Sequence, residues 1–175
     1  MRRLLAIAAS GLLGGCGFHP LYGVPDMPKG TMQATLGSIY VEPVPDRLGY
    51  QLRNQLIDLL DARGEPTGAA YRLHVTLATK SEAIGVQSQS APGGLTQTAI
   101  TRYNDRLTAE YELVDIRTGA VVTKGTETGL TSYNVLSSPY ATLSVQQDAD
   151  RRAAEDIADR IRVDIAVHFA QQAQR

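Results

Sequence analysis

The sequence predicts an α+β fold: a roughly four-stranded, mostly antiparallel sheet with two helices packed on one face, in the order strand-helix-strand-strand-strand-helix. Three observations predict it. Residues 71–79 alternate cleanly along a strand. Leu48, Leu52, Leu56, Leu59 and Leu60 recur at helical spacing, and from Val145 an apolar side chain returns every fourth residue to Phe169.

Taken in order, residues 24–30 hold two prolines and a glycine with little apolar periodicity, and read as a linker. Residues 38–44 read as a strand on the alternation of Ile39 and Val41, ended or pushed to an edge by Pro43 and Pro45. The leucine stripe places a helix over 48–63, with Asp46 as N-cap and Gly64 just past its end. Tyr71, Leu73, Val75, Leu77 and Thr79 face one way, and Arg72, His74, Thr76 and Ala78 the other, as in an antiparallel sheet covered on one side. Pro92-Gly93-Gly94 marks a turn between the arms of a long hairpin. Leu107, Ala109, Tyr111 and Leu113 continue the second arm as a strand over 102–116, and Asn104-Asp105-Arg106 reads as a bulge or bend within it. Residues 117–120 make a hairpin turn into a Thr-rich strand over 121–133, where Gly125 and Gly129 suggest bends. The last helix is expected from about Leu143, opened by a Ser144–Gln147 capping box and carrying Arg151–Glu155 and Asp159–Arg162 surface pairs.

Composition narrows the classes. A chain of 175 residues suits one domain, and 43% hydrophobic residues suffice for a packed core. Seventeen Lys+Arg against eighteen Asp+Glu leave no basic excess for a nucleic-acid partner. A single cysteine excludes both an internal disulfide framework and a cysteine-based zinc site.

The amino terminus is an export signal. Arg2 and Arg3 precede an apolar run from Leu4 to Leu13, too short to span a bilayer as a helix. Gly14 and Gly15 follow, then Cys16, the only thiol, placed first in the mature chain. Leu13-Gly14-Gly15-Cys16 resembles a bacterial lipobox, which makes Cys16 the site of lipid attachment. Residues 1–15 are then a signal peptide, 16–36 a lipidated tether and linker, and 37–175 a single domain. Gly17 after the cysteine, where many inner-membrane lipoproteins carry aspartate, favours the outer membrane by resemblance to that sorting rule.

The segment Cys16-Gly17-Phe18-His19-Pro20-Leu21-Tyr22-Gly23 resembles the start of the mature lipopolysaccharide-assembly lipoprotein family LptE, in its alphaproteobacterial form. The resemblance covers these eight positions directly and the element order more loosely. It implies the α+β architecture predicted above. It also implies a lipid-anchored protein on the periplasmic side of the outer membrane, which plugs and helps assemble the β-barrel LptD in a 1:1 complex and assists lipopolysaccharide insertion. Phe18, Leu21 and Tyr22 form an apolar patch that either docks on a membrane or partner or is simply an apolar tether.

No catalytic constellation, P-loop or dinucleotide fingerprint is present, and no cofactor is implied. His19, His74 and His168 are isolated, without metal-ligand spacing, and Asp58/Asp61 and Glu110/Glu112 read as solvated surface. The chain is therefore expected not to be an enzyme. A lipopolysaccharide contact needs cations for phosphates and carboxylates, and Arg72, Arg102, Arg106 and Lys124 lie on predicted strands or their bends. Residues 83–101 and 128–147 carry no charge, so they are either surfaces a barrel wall covers without burying unpaired ions or merely two polar loops. The alternative function is an auxiliary periplasmic lipoprotein of a phospholipid or MCE-type transport system, which shares the lipobox and the terminal helix but not the motif at 17–23.

Overall fold

The computed structural model describes residues 29–61, 64–93 and 95–173. The signal peptide, Cys16 and the motif at 16–23 lie outside the described residues. The elements are α1 (Lys29–Leu36), β1 (Ile39–Val41), α2 (Asp46–Leu60), β2 (Tyr71–Ala91), β3 (Leu95–Asp115), β4 (Val121–Asn134) and α3 (Pro139–Gln172). The four strands form one sheet in the order β1-β2-β3-β4. β1 pairs parallel with β2, which requires the crossover that α2 supplies, and the other pairings are antiparallel.

The predicted α+β class is the observed one. Alternation sends Leu73 and Val75 of β2, and Leu107, Ala109, Tyr111 and Leu113 of β3, into a core closed by the stripes of α2 and α3. Leu52, Leu56 and Leu60 of α2 are buried, as are Ala153, Ile157, Ile161, Ile165 and Phe169 of α3. The fourfold apolar recurrence holds from Ala149, while Val145 is 36% exposed.

Several local expectations are corrected. The last eight residues of the segment read as tether and linker fold as α1, which buries Leu36 and is held by Gln33 Nε2 donating to the Leu60 carbonyl at 3.0 Å. Pro45, not Asp46, caps α2; Asp46 is its first residue, at φ 68°, in the left-handed region that aspartate tolerates better than most side chains. α2 stops at Leu60, with Asp61 as its C-cap. The ladder runs unbroken through Asn104, Asp105 and Arg106; the irregularity lies instead at Gly85, opposite Thr101 and Arg102. Asp105 is buried at 2% exposure; Ser81, directly across the ladder, donates its hydroxyl to Oδ1 at 2.5 Å, while Oδ2 has no hydrogen-bond partner among the described residues.

Gly125 and Gly129 mark close approaches rather than bends. A Cβ at Gly125 would sit 2.7 Å from the Tyr111 hydroxyl oxygen, and one at Gly129 would sit 3.2 Å from Ile157 Cδ1. The β3–β4 ladder shifts only at Leu113/Val114. α3 begins at Pro139, four residues before the expected start, because Ser138 accepts from the Ala141 N–H as its N-cap; Ser144 donates back to the Tyr140 carbonyl within the helix. Arg151 pairs with Glu155 at 3.1 Å as expected, whereas Arg162 reaches across to the Leu59 carbonyl at 3.0 Å instead of pairing with Asp159.

One polar seam joins α3 to the sheet. Tyr111 donates its hydroxyl to Asp164 Oδ2 at 3.1 Å, and Arg160 Nη1 donates to the Thr128 carbonyl at 3.2 Å. Burial, and then the Asp164 carboxylate, push the Glu127 carboxyl above its ordinary range. A raised acid pKa means that the folded chain holds the proton more tightly than the unfolded one. The resulting stability is present at low pH and is lost as pH rises through the folded pKa. Glu127→Gln is therefore expected to be more stable than the parent at neutral pH, by on the order of 0.5 kcal/mol. The gain should disappear on acidification, as urea denaturation at a series of pH values would show; a variant less stable at neutral pH would contradict it.

Candidate functional site on the open sheet face

The face of the sheet turned away from α2 and α3 is polar. β2 contributes Arg72, His74, Thr76 and Lys80, β3 contributes Arg102, Arg106, Glu110 and Glu112, and β4 contributes Lys124, Thr126, Leu130 and Ser132. All four cations singled out from the sequence lie here, in two groups. Arg106 is opposite Lys80; Arg102, four residues away along β3 at about 13 Å, donates to Ser132 Oγ at 2.6 Å. Lys124 lies opposite Glu112, which in turn lies opposite His74. Arg72 is next along β2. The Lys80 and His74 rows are six residues apart, about 20 Å at the rise of a strand.

Each group already contains a carboxylate that holds some of its cations. Near the start of β2, Glu42 occupies the cations: Arg72 Nε lies 3.3 Å from its Oε1 and His74 Nδ1 lies 2.7 Å from its Oε2. At the hairpin root, Lys80 and then Arg106 hold the exposed Glu82 carboxyl below its ordinary range, with Lys80 Nζ 2.7 Å from Oε1. Arg106 also faces the 68%-exposed Leu130. A groove of about 260 Å³ runs there between Lys80, Glu82, Asn104, Arg106 and Ser132. A second groove, of about 520 Å³, lies between His74, Glu110, Glu112 and Lys124. The hairpin-root groove combines guanidinium, ammonium and hydroxyl donors with one exposed leucine, beside the carboxylates of Glu82 and Asp105; its donors suit an anionic group carrying an apolar body. Lys80 was missed in the sequence because the alternation used to define β2 stops at Thr79.

The two uncharged segments meet. β4 leaves β3 at Asn134, opposite Arg102, and Val135 N–H then donates to the Thr101 carbonyl at 2.9 Å. Beyond that point the β2–β3 hairpin continues alone, with Ile84, Val86 and Ile100 exposed, while Leu136, Tyr140 and Leu143 are exposed around the start of α3. α1 sits at the opposite end of β2, where Ala70 N–H donates to the Ser38 carbonyl. β2 is 21 residues long, so the two ends are separated by about 65 Å.

Among the described residues no helix is long and apolar enough to cross a membrane, and no three His, Cys, Asp or Glu side chains converge as a metal cluster. A helix-backed sheet with one open charged face places the chain in a class of small α+β domains already solved for bacterial lipoproteins. A protein described as a lipoprotein, from Caulobacter crescentus CB15, shares 29% identity over 81% of this chain and 98% of its own, with a TM-score of 0.63. Rare lipoprotein B from Shewanella oneidensis shares the fold at 12% identity, covering 77% of this chain and 98% of its own, with a TM-score of 0.53. Among curated proteins none matches this chain in sequence. The family model LptE, lipopolysaccharide-assembly, matches residues 36–165. The chain belongs to the LptE family of lipopolysaccharide-assembly envelope lipoproteins.

Proposed function

We infer that this chain is an outer-membrane lipoprotein, anchored on the periplasmic side through acylated Cys16, that plugs and helps assemble an LptD β-barrel in a 1:1 complex. There it assists lipopolysaccharide insertion into the outer leaflet, without enzymatic activity or a cofactor. Membership of the LptE family supports this reading. The observation that carries it is the arrangement of the two uncharged segments, which meet at the end of the sheet remote from α1. A surface without charge can be enclosed by a barrel wall without leaving ions unpaired. Within this reading Arg102 and Arg106 are the leading lipopolysaccharide contacts, with Lys80, which Glu82 already pairs, beside Arg106. Arg72 and Lys124 are secondary, since Glu42 and Glu112 already neighbour them.

The test is capture of the full tagged chain from detergent-solubilised outer membranes. A large β-barrel in stoichiometric yield, with lipopolysaccharide, is expected. Arg102→Glu with Arg106→Glu should retain the barrel and lose bound lipopolysaccharide about tenfold or more, since charge-assisted contacts contribute about 1.5–3 kcal/mol each. Recovery of transporter components in place of the barrel would overturn the assignment, and unchanged lipopolysaccharide in the folded double variant would remove the two arginines from it.

A further inference from the structure

The outer edge of β2 is largely unpaired among the described residues. β1 covers only Tyr71, Arg72 and Leu73, although β2 runs on to Ala91. Glu42 N–H donates to the Leu73 carbonyl and Tyr71 N–H to the Ser38 carbonyl, so the odd-numbered residues turn their backbone groups toward this edge. By alternation, Val75, Leu77, Thr79, Ser81 and Ala83 present unbonded N–H and C=O groups, while their even-numbered neighbours bond to β3. The other edge of the sheet is treated differently. On β4, Arg160 bonds the Thr128 carbonyl and α3 packs alongside. An open strand edge is a template for another strand, and a charge along it decides which strand is accepted.

We propose that this edge pairs antiparallel with the same edge of a second copy of the chain, about a two-fold axis at Ser81. The charges select the register. With Ser81 opposite Ser81 of the second copy, the odd-numbered residues on both chains form the hydrogen-bonded pairs. The even-numbered residues form the closer, non-hydrogen-bonded pairs on the open face. Lys80 then lies directly opposite Glu82 of the second copy, twice by symmetry, in a square of alternating charge. A lysine alone would repel a neighbouring strand. With Glu82 two residues on, it becomes self-complementary in this register. Ile84, half exposed, falls opposite Ala78 at the limit of the regular ladder. The pairing runs from Ala78 opposite Ile84 to its symmetry mate, short of the irregularity between Ala83 and Val86 and clear of Glu42, which lies beside His74. The chain is thus a homodimer when free of other partners, and this does not depend on the barrel assignment.

Sedimentation of the purified full chain in mild detergent, without barrel or lipopolysaccharide, tests it. The wild type should show a concentration-dependent monomer–dimer equilibrium. Glu82→Lys, which sets two lysines against two lysines, should weaken association about tenfold or more. Lys80→Glu combined with Glu82→Lys reverses both signs, keeps the complementarity and should restore the wild-type affinity. A wild type that stays monomeric across the accessible concentrations overturns the proposal. So does a dimer indifferent to Glu82→Lys, or one that the double exchange fails to restore.

Discussion

Ile161→Ala is expected to lower the stability of the domain by about 3–4 kcal/mol, in the upper part of the range for deleting a buried branched side chain. Ile161 has no solvent exposure and sits midway along the stripe that α3 presses on the core, between the equally buried Ile157 and Ile165. The long helix and the sheet are each fixed by many contacts, so neither can collapse into the vacated volume. Alanine's better helix propensity returns only a few tenths of a kcal/mol. In thermal unfolding the loss corresponds to a midpoint lower by about 10 °C. Val163, two residues along on the solvent side and 51% exposed, is the control: Val163→Ala should change stability by no more than about 0.5 kcal/mol. Equal losses at both positions would mean that α3 does not present this face to the core.

That stripe was legible because helix period and burial are one signal. The same holds for Leu52, Leu56 and Leu60 on α2 and for the alternation of β2 and β3. Turn chemistry was legible too: Gly119, at φ 70°, follows the turn in which Asp115 Oδ1 accepts from Thr118 N–H at 2.7 Å. What stayed hidden is what distant residues decide. α1 has no strong apolar face of its own and is positioned by Leu36 and by a bond from Gln33 to the end of α2. Asp105 reads as a break in a strand because its hydrogen-bond partner, Ser81, is 24 residues away. The four candidate cations could be assigned to strands from the sequence. Their division into a hairpin-root group and a Glu42-occupied group follows from cross-strand register, which no single strand encodes. The open edge of β2 likewise exists only because β1 is three residues long.

Cys16→Ser, exported behind a leader whose cleavage does not depend on the cysteine and in cells that lack an LptD barrel, is expected to move the protein almost completely from the membrane fraction to the soluble fraction. The thiol is the only one in the chain, and the lipobox resemblance makes it the attachment point. Serine offers nearly the same volume without the thioether-forming sulfur. The size of the shift follows from chain number: a single acyl chain binds a bilayer reversibly, at about 10⁴ M⁻¹, whereas several chains anchor stably. The described residues contain no membrane-spanning helix, and the open sheet face carries Glu42, Glu82, Glu110 and Glu112 among its cations. Folding is expected to be untouched, because Cys16 lies well before the family-matched residues 36–165. The midpoint of urea denaturation should therefore match that of the parent domain. Release must be scored after a high-salt wash, which strips electrostatic adhesion but not acyl anchoring. A variant that still sediments with membranes after that wash would show that something other than the acylated cysteine holds the chain there. The tether, and with it the orientation that points the uncharged end away from the anchor, would then have to be abandoned.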